Sequence, residues 1–323
     1  MASRLRLPAR VAAATLLGGA VAVAIATPAH AANAVLDVVG SSVYYTAGSD
    51  QTNHLVIERS TANPDHYLFQ EVGGAVITST DPACFYPLPG STTTMTCAAP
   101  GLLYLVVSVG SGHDAVLNWT DRAATLYGGD GDDTLWFGGR VGASGWADGG
   151  NGNDVIVSGR GNDTMIGGPG VDRASYRDTT AAVNASLLSN TGGNQTNTDT
   201  YAGMEDLEGG GGSDVLIGDN ASNRIYGGTA TVCRAYPSGA CQEISGDDVI
   251  FSNGGDDQLS GDTGHDVMAG GDGHDTLWGD RGDDQLYGEA GNDSLDGGSG
   301  VNSLNGGAGT DSCWNGTKVG CEN

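Results

Sequence analysis

Glycine and aspartate recur every nine residues through most of the second half of the chain. From Ser252 the run is unbroken: SNGGDDQLS, GDTGHDVMA, GGDGHDTLW, GDRGDDQLY, GEAGNDSLD, GGSGVNSLN and GGAGTDSCW, ending at Trp314. Earlier units in the same register begin at Gly128, Gly149, Ser158, Gly167, Gly209 and Gly218. One more is split. Gly227-Gly228 opens it, and Ser245–Phe251 completes it as GGSGDDVIF once the sixteen residues Thr229–Ile244 are set aside. Fourteen units in one register mark a repeat architecture. The glycine content, 56 of 323 residues, follows from it. No three-residue period and only nine prolines exclude collagen. Regularly placed Val, Leu and Ile exclude a flexible linker.

Glycines at places one, two and four of the unit permit the positive φ of a turn too tight for a Cβ. Place eight is apolar in nearly every unit: Leu135, Ile156, Met165, Leu216, Ile225, Ile250, Leu259, Met268, Leu277, Leu286, Leu295 and Leu304. One inward residue per unit makes a thin, stacked core. Place six is acidic in nearly every unit, and six is the place that carries chemistry.

The units closely resemble the hemolysin-type, or RTX, calcium-binding repeats, whose consensus is GGxGxDxUx with U a large apolar residue. The resemblance covers residues 128–314, with a degenerate stretch at 176–208. It implies an all-β fold, a parallel β-roll in which each unit is a tight turn plus a short strand and two units make one coil. Units eighteen residues apart then stack at the roughly 4.8 Å spacing of neighbouring strands. Two bare carboxylates that close repel by about 3 kcal/mol at an effective dielectric near 20. A calcium ion between them turns repulsion into coordination, because calcium takes six to eight oxygens and accepts carboxylates with turn carbonyls. Magnesium demands smaller, stricter octahedra and is the poorer match. The resemblance makes the place-six acids ligands: Asp133, Asp154, Asp163, Asp172, Asp214, Asp248, Asp257, Asp266, Asp275, Asp284, Asp293 and Asp311. The expected stacked pairs are Asp248/Asp266, Asp257/Asp275, Asp266/Asp284, Asp275/Asp293, Asp293/Asp311 and Asp154/Asp172. Asp214/Asp248 joins them with the loop excised, and Asp133/Asp154 joins if Phe137–Asp148 forms an irregular half-coil. Asp284/Asn302 and Asn223/Asp257 lose a charge and are expected to bind more weakly.

The remaining chain divides around the repeats. Residues 1–31 have a basic start (Arg4, Arg6, Arg10), an apolar run Val11–Ile25 and the small-residue stop Ala29-His30-Ala31, the three parts of a secretory signal. Residues 32–108 read as a β-rich N-terminal domain, with strands at Val35–Val39, Val43–Thr46, His54–Arg59, Tyr67–Val72, Ala75–Thr80 and Leu102–Val109. Gly110–Val116 looks like a first half-repeat, nineteen residues ahead of Asp133. The roll is expected over 109–314, including the degenerate coil 176–208 and the inserted loop 229–244. A disulfide-tethered cap follows at 315–323. The six cysteines form three local pairs, Cys84/Cys97, Cys233/Cys241 and Cys313/Cys321, which suit disulfides in an exported chain.

Charge narrows the function. The chain has 39 Asp plus Glu against 13 Lys plus Arg, a formal charge of -26, and removal of the leader arginines makes it -29. Nucleic acid and anionic lipid need clustered basic residues, so neither is a partner. No segment after the leader is long enough to insert into a membrane. Neither HExxH nor GxSxG occurs, so the repeat-bearing proteases and lipases resemble this chain only in the roll. His265 and His274, at place five, are expected to face solvent. Aromatics at place nine (Trp136, Tyr226, Phe251, Trp278, Tyr287, Trp314) are expected to pack on the outer face of the sheet. The reading is a secreted, non-enzymatic protein that binds several calcium ions and serves as a structural or interaction module. Extracellular polysaccharide or a cell-surface protein would be its partner. The alternative is an extracellular enzyme or carbohydrate-binding protein that uses the N-terminal domain or the aromatic face, with the roll as scaffold.

Overall fold

The computed structural model describes residues 33–48, 52–72, 75–138, 143–233 and 241–322, together with the short strands Val11–Ala13 and Val23–Ile25. The rest of the expected leader lies outside the described residues. Among the described residues every regular element is a strand, and no helix is long and apolar enough to cross a membrane.

Two long sheets, of 16 and 14 strands, face each other, and the chain alternates between them. Gln285–Ala290 and Ser303–Ala308 belong to the larger sheet, Ser294–Asp296 and Ser312–Trp314 to the smaller. Each strand pairs in parallel with the one a full coil away, so the place-eight residues stack in register. Leu259 sits beside Leu277, Leu277 beside Leu295, and Leu295 beside Cys313. On the opposite sheet Ile250, Met268, Leu286 and Leu304 form the matching row. All of these side chains are fully buried, and their two rows are the core between the sheets. The fold is the parallel β-roll that the repeat implies.

Glycine is indispensable where coils touch. At Gly291, place four, φ is 150°, and a Cβ would lie 1.4 Å from the Gly273 carbonyl oxygen of the coil below. No side chain fits there, which keeps the turn column free of Cβ atoms.

The sheets run without a break across residue 108. Tyr104–Ser111 pairs in parallel with Ala123–Asp130 on one side and Ser42–Thr46 on the other. Ala115–Asn118 is likewise flanked in parallel by Thr134–Trp136 and His54–Arg59. Ser42–Thr46 and His54–Arg59 therefore supply the two strands of a first coil without the glycine code, so residue 108 marks a change in sequence pattern and leaves the sheets intact. Beyond that coil the pairing turns antiparallel, apart from the parallel edge pair Asn33–Val39 with Val76–Thr78. His54–Arg59, His66–Glu71 and Thr94–Ala98 form successive hairpin partners, with the Cys84–Cys97 disulfide joining opposed residues. At the far end the Cys313–Cys321 disulfide holds Thr317–Val319 against Ser303–Asn305, which extends the larger sheet by one short strand over the last coil.

The degenerate stretch stays within the roll. Arg173–Ser175, Asp206–Glu208 and Arg224–Tyr226 continue the smaller sheet in parallel. In the larger sheet Asn184–Ser186, Thr191–Gly192 and Asp199–Ala202 make an antiparallel excursion between Thr164–Ile166 and Val215–Ile217. The split repeat carries an antiparallel hairpin, Ala230–Cys233 with Cys241–Ile244, and its register sets Cys233 opposite Cys241. Their side chains, and hence a disulfide between them, lie outside the described residues, as do residues 139–142 of the irregular half-coil.

Candidate metal centre

Every place-six acid sits at the foot of a strand, where the turn hands over to the sheet, and all twelve are buried. Their two carboxylate oxygens have different fates. One, Oδ1, accepts the backbone N–H of the place-six residue one coil earlier. Asp214 donates to Asp248 at 2.7 Å, Asp248 to Asp266 at 2.8 Å, Asp266 to Asp284 at 3.0 Å and Asp284 to Asn302 at 2.8 Å. A second column runs Asn223, Asp257, Asp275, Asp293, Asp311, with bonds of 2.7–2.9 Å. A third runs Asp114, Asp133, Asp154, Asp172 at 2.7 Å a step. The stacked pairs expected from the eighteen-residue spacing are joined in this way, as is Asp133 with Asp154.

The other oxygen, Oδ2, is buried with no hydrogen-bond partner in Asp133, Asp154, Asp172, Asp248, Asp257, Asp266, Asp275, Asp284, Asp293 and Asp311. Asp114, in the half-repeat, has the same orphaned oxygen. Leaving a buried carboxylate oxygen without a partner is costly, so a column of them calls for a positive partner. Except at Asp257, whose place one is Ser252, and at Asp114, each of these Oδ2 atoms points toward the place-one glycine of its own turn. A methyl group built on Gly288 would lie 2.4 Å from Asp293 Oδ2 and 2.4 Å from the Gly306 carbonyl oxygen of the next coil. Gly128, Gly279 and Gly306 show the same convergence of a carboxylate and a carbonyl. Among the described residues no three acidic, His or Cys side chains converge, so a cation here would draw on one carboxylate oxygen per turn and on backbone carbonyls. An all-oxygen set of that kind suits calcium.

Asn302 reports the same preference in protein atoms. It occupies place six, accepts from Asp284 as an aspartate would, and turns its Nδ2 to the Gly297 and Asn315 carbonyls at 2.6 and 3.0 Å. At this turn, where the acid is missing, an N–H donor faces the place-one carbonyl; Asn223, the other place-six asparagine, instead accepts from Asp219 N at 2.8 Å and donates its Nδ2 to the Glu205 carbonyl at 2.9 Å.

Asp163 and Asp214 differ from the other ten. Asp163 accepts from Gly145 N at 2.7 Å and Gly159 N at 2.9 Å, and Asp214 from Val183 N at 2.8 Å and Gly210 N at 2.7 Å. Both flank the degenerate stretch and have backbone donors on both oxygens. There the polar group balance is kept by protein alone: Ser158 Oγ donates to Asp199 at 2.8 Å, and the Tyr176 and Tyr201 hydroxyls share a hydrogen bond.

Burial raises the place-six carboxyls from Asp133 to Asp293, and at most of them neighbouring acids add to it. Asp266, with Asp248 and Asp284 above and below, is pushed up to about 8. Asp133, Asp172, Asp248 and Asp275 reach about 7, and Asp154, Asp214 and Asp257 about 6. Backbone N–H donors to Oδ1 oppose the rise without cancelling it.

Three features went unread in the sequence. Asp114 lay in a recognised half-repeat and completes a column. Glu205 and Glu322 close columns by accepting from Asp172 N at 2.9 Å and Asp311 N at 2.5 Å, with no repeat register to reveal them. Place five forms an outer ladder of its own, running in the opposite sense. His265 N donates to Asp247 Oδ1, Asp283 N to His265 Nδ1 (both 2.8 Å) and Val301 N to Asp283 Oδ1 at 2.7 Å. Asp256, His274 and Asn292 do the same for the other column of turns. The histidines are thus hydrogen-bond acceptors at the exposed rim.

Comparison with known families agrees with this geometry. The family described as RTX calcium-binding nonapeptide repeat (4 copies) matches residues 125–139, 144–174, 199–230, 245–277 and 278–313. The matched segments leave out 175–198, which includes the first two strands of the antiparallel excursion, and 231–244 of the inserted hairpin. No curated protein matches the chain.

Proposed function

This chain carries RTX calcium-binding nonapeptide repeats between residues 125 and 313, and on that premise we propose that it is a secreted protein whose roll is completed by several calcium ions. The observation that carries the reading is the column of buried, unpartnered Oδ2 atoms facing place-one carbonyls. The residues assigned to the metal are Asp133, Asp154, Asp172, Asp248, Asp257, Asp266, Asp275, Asp284, Asp293 and Asp311. Asp163 and Asp214 are assigned to the hydrogen-bonded spacer between two metal-bearing segments, because backbone N–H groups already occupy their oxygens. Calcium would supply the positive charge between stacked turns, and the place-six side chains would hold it once deprotonated.

Secretion is supported by the leader at residues 1–31 and by the two disulfides, Cys84–Cys97 and Cys313–Cys321, which suit an oxidising compartment. The matched family is a structural repeat, in keeping with a non-enzymatic module that folds outside the cell and engages an extracellular polysaccharide or a cell-surface protein.

The test is a calcium titration of the mature protein followed by far-UV circular dichroism, with magnesium as control. A cooperative gain of β signal specific to calcium is expected, with a midpoint of about 10⁻⁴–10⁻³ M, as in extracellular modules. An identical β spectrum and identical melting in chelator, magnesium and calcium would overturn the reading.

A further inference from the structure

The degenerate stretch does more than interrupt the metal columns: it opens a groove. Two cavities, of about 490 and 770 Å³, adjoin there and share Asp178 in their walls. Both volumes lie within the roughly 300–1,000 Å³ of small-ligand sites. The smaller lies on the outer face of the 14-stranded sheet, between Trp136, Arg173, Arg177, Glu208, Tyr226 and Asp262. The larger is bounded by Arg160, Tyr176 and the polar turns 178–180 and 194–196.

The chemistry of the smaller cavity is specific. Arg173 lies over the Tyr226 ring at 4.6 Å, and Arg177 over the Trp136 ring at 5.3 Å, so both guanidiniums sit over aromatic faces. Three buried polar atoms in its walls have no hydrogen-bond partner: the donors Arg173 Nε and Trp136 Nε1, and the acceptor Glu208 Oε2. The Trp136 indole faces the Asp178 carboxylate without forming a hydrogen bond of normal geometry. An anionic ligand would meet Asp178, Glu208 and Asp262 in the same walls. A cationic one would find the ring faces already covered by arginine. A hydroxyl group satisfies both kinds of orphan, because it donates one hydrogen bond and accepts two.

We propose that this groove binds a neutral saccharide, with Trp136, Arg173, Arg177 and Glu208 contacting its hydroxyls and the chain of sugar units continuing past Asp178 toward residues 194–196. The proposal rests on the polysaccharide-partner reading given above and supplies its site. It places recognition where the nine-residue code fails, and it uses the edges of polar groups in preference to ring stacking, since Arg173 and Arg177 cover Tyr226 and Trp136.

The test uses the full mature protein in saturating calcium, run through native gels containing laminarin, mannan, dextran or hydroxyethyl cellulose, with polygalacturonate as the anionic arm. Retardation by at least one neutral polysaccharide is expected. Its affinity should fall at least tenfold in Arg177→Ala and in Glu208→Gln, with the circular dichroism spectrum and calcium midpoint unchanged. Arg177 lies outside any strand, so its variant keeps the test valid should Glu208→Gln fail to fold. Retardation by none of the neutral polymers, by polygalacturonate alone, or equally in wild type and both variants would overturn the proposal. Because calcium-dependent folding is recorded on the same samples, a chain that folds with calcium and ignores every sugar sinks this inference and leaves the calcium reading standing.

Discussion

A place-six carboxylate has two tasks, one for each oxygen, and substitution can separate them. Asparagine keeps the Oδ1 that receives the neighbouring coil's N–H and removes the charge on the other side. Asn302 already shows the outcome, its amide turned to the Gly297 carbonyl. Asp266→Asn is therefore expected to stabilise the metal-free roll, by relieving a carboxylate buried between Asp248 and Asp284, and to weaken calcium binding. A shift of about tenfold in the calcium midpoint corresponds to about 1.4 kcal/mol. Asp163→Asn should instead destabilise the roll and leave calcium binding unchanged. Its amide would face the N–H of Gly159 or Gly145, which costs about 1–3 kcal/mol whether or not calcium is present. Thermal melts of both variants in chelator and in calcium check the pair. A loss of calcium affinity in Asp163→Asn matching that of Asp266→Asn would remove the distinction drawn between them.

At the scale of the turn-and-strand unit, what could be read from the sequence was whatever repeats in residue type. Places six and eight recur as Asp and as Leu, Ile or Met, so the acid columns and the core rows were visible once the family resemblance supplied the two-unit coil. Place five repeats in function only: Ser213, Asp247, His265 and Asp283 share a lone pair aimed at the next coil's N–H, which no hydropathy or charge pattern reveals. The series ends in Val301, where no further turn follows in that column and no acceptor is needed. Ser42–Thr46 and His54–Arg59 were legible as strands and illegible as parts of a coil, because disulfide-linked hairpins beside them replace the glycine code. The metal-sparing character of Asp163 and Asp214 was also hidden, since it depends on N–H groups supplied by an irregular neighbour. The place-five ladder makes its own prediction. His265→Ala and Asp247→Ala should each lower the melting stability of the calcium-loaded roll by about 0.5–1.5 kcal/mol, the net value of one hydrogen bond. Neither should move the calcium midpoint by more than a small factor, whereas Val301→Ala should change neither quantity. A calcium midpoint shifted tenfold by His265→Ala would make the imidazole part of the metal site and not of the rim.

Across the whole molecule, protons and calcium compete for the same columns. In the unfolded chain these aspartates titrate near the ordinary value of about 3.9. In the metal-free roll Asp154, Asp214 and Asp257 are raised to about 6, Asp133, Asp172, Asp248 and Asp275 to about 7, and Asp266 to about 8. The folded state thus binds more protons than the unfolded state between about pH 4 and pH 8. By linkage, stability falls with rising pH wherever the folded state holds the extra protons. The contribution of these groups is fully present below the unfolded value and lost as pH rises through 6 to 8. In chelator, the roll should therefore hold more β structure and melt higher at pH 5 than at pH 8. Calcium reverses the order, because its ligands must be deprotonated. Its midpoint should rise as pH falls from 8 to 6, and calcium should raise the melting temperature far more at pH 8 than at pH 5. The overall charge acts in the same direction, since a chain of formal charge -26 repels itself most when every acid is ionised. Added sodium chloride at pH 8 screens surface charges over about 10 Å at 0.1 M, yet reaches buried columns poorly. Salt should accordingly recover only part of what calcium restores. Circular dichroism melts at pH 5, 6.5 and 8, in chelator, in chelator with salt and in calcium, decide the matter. A metal-free roll that grows steadily more stable from pH 5 to pH 8 would mean that the buried carboxylates are neutralised from within the protein, and that the columns are not waiting for a cation.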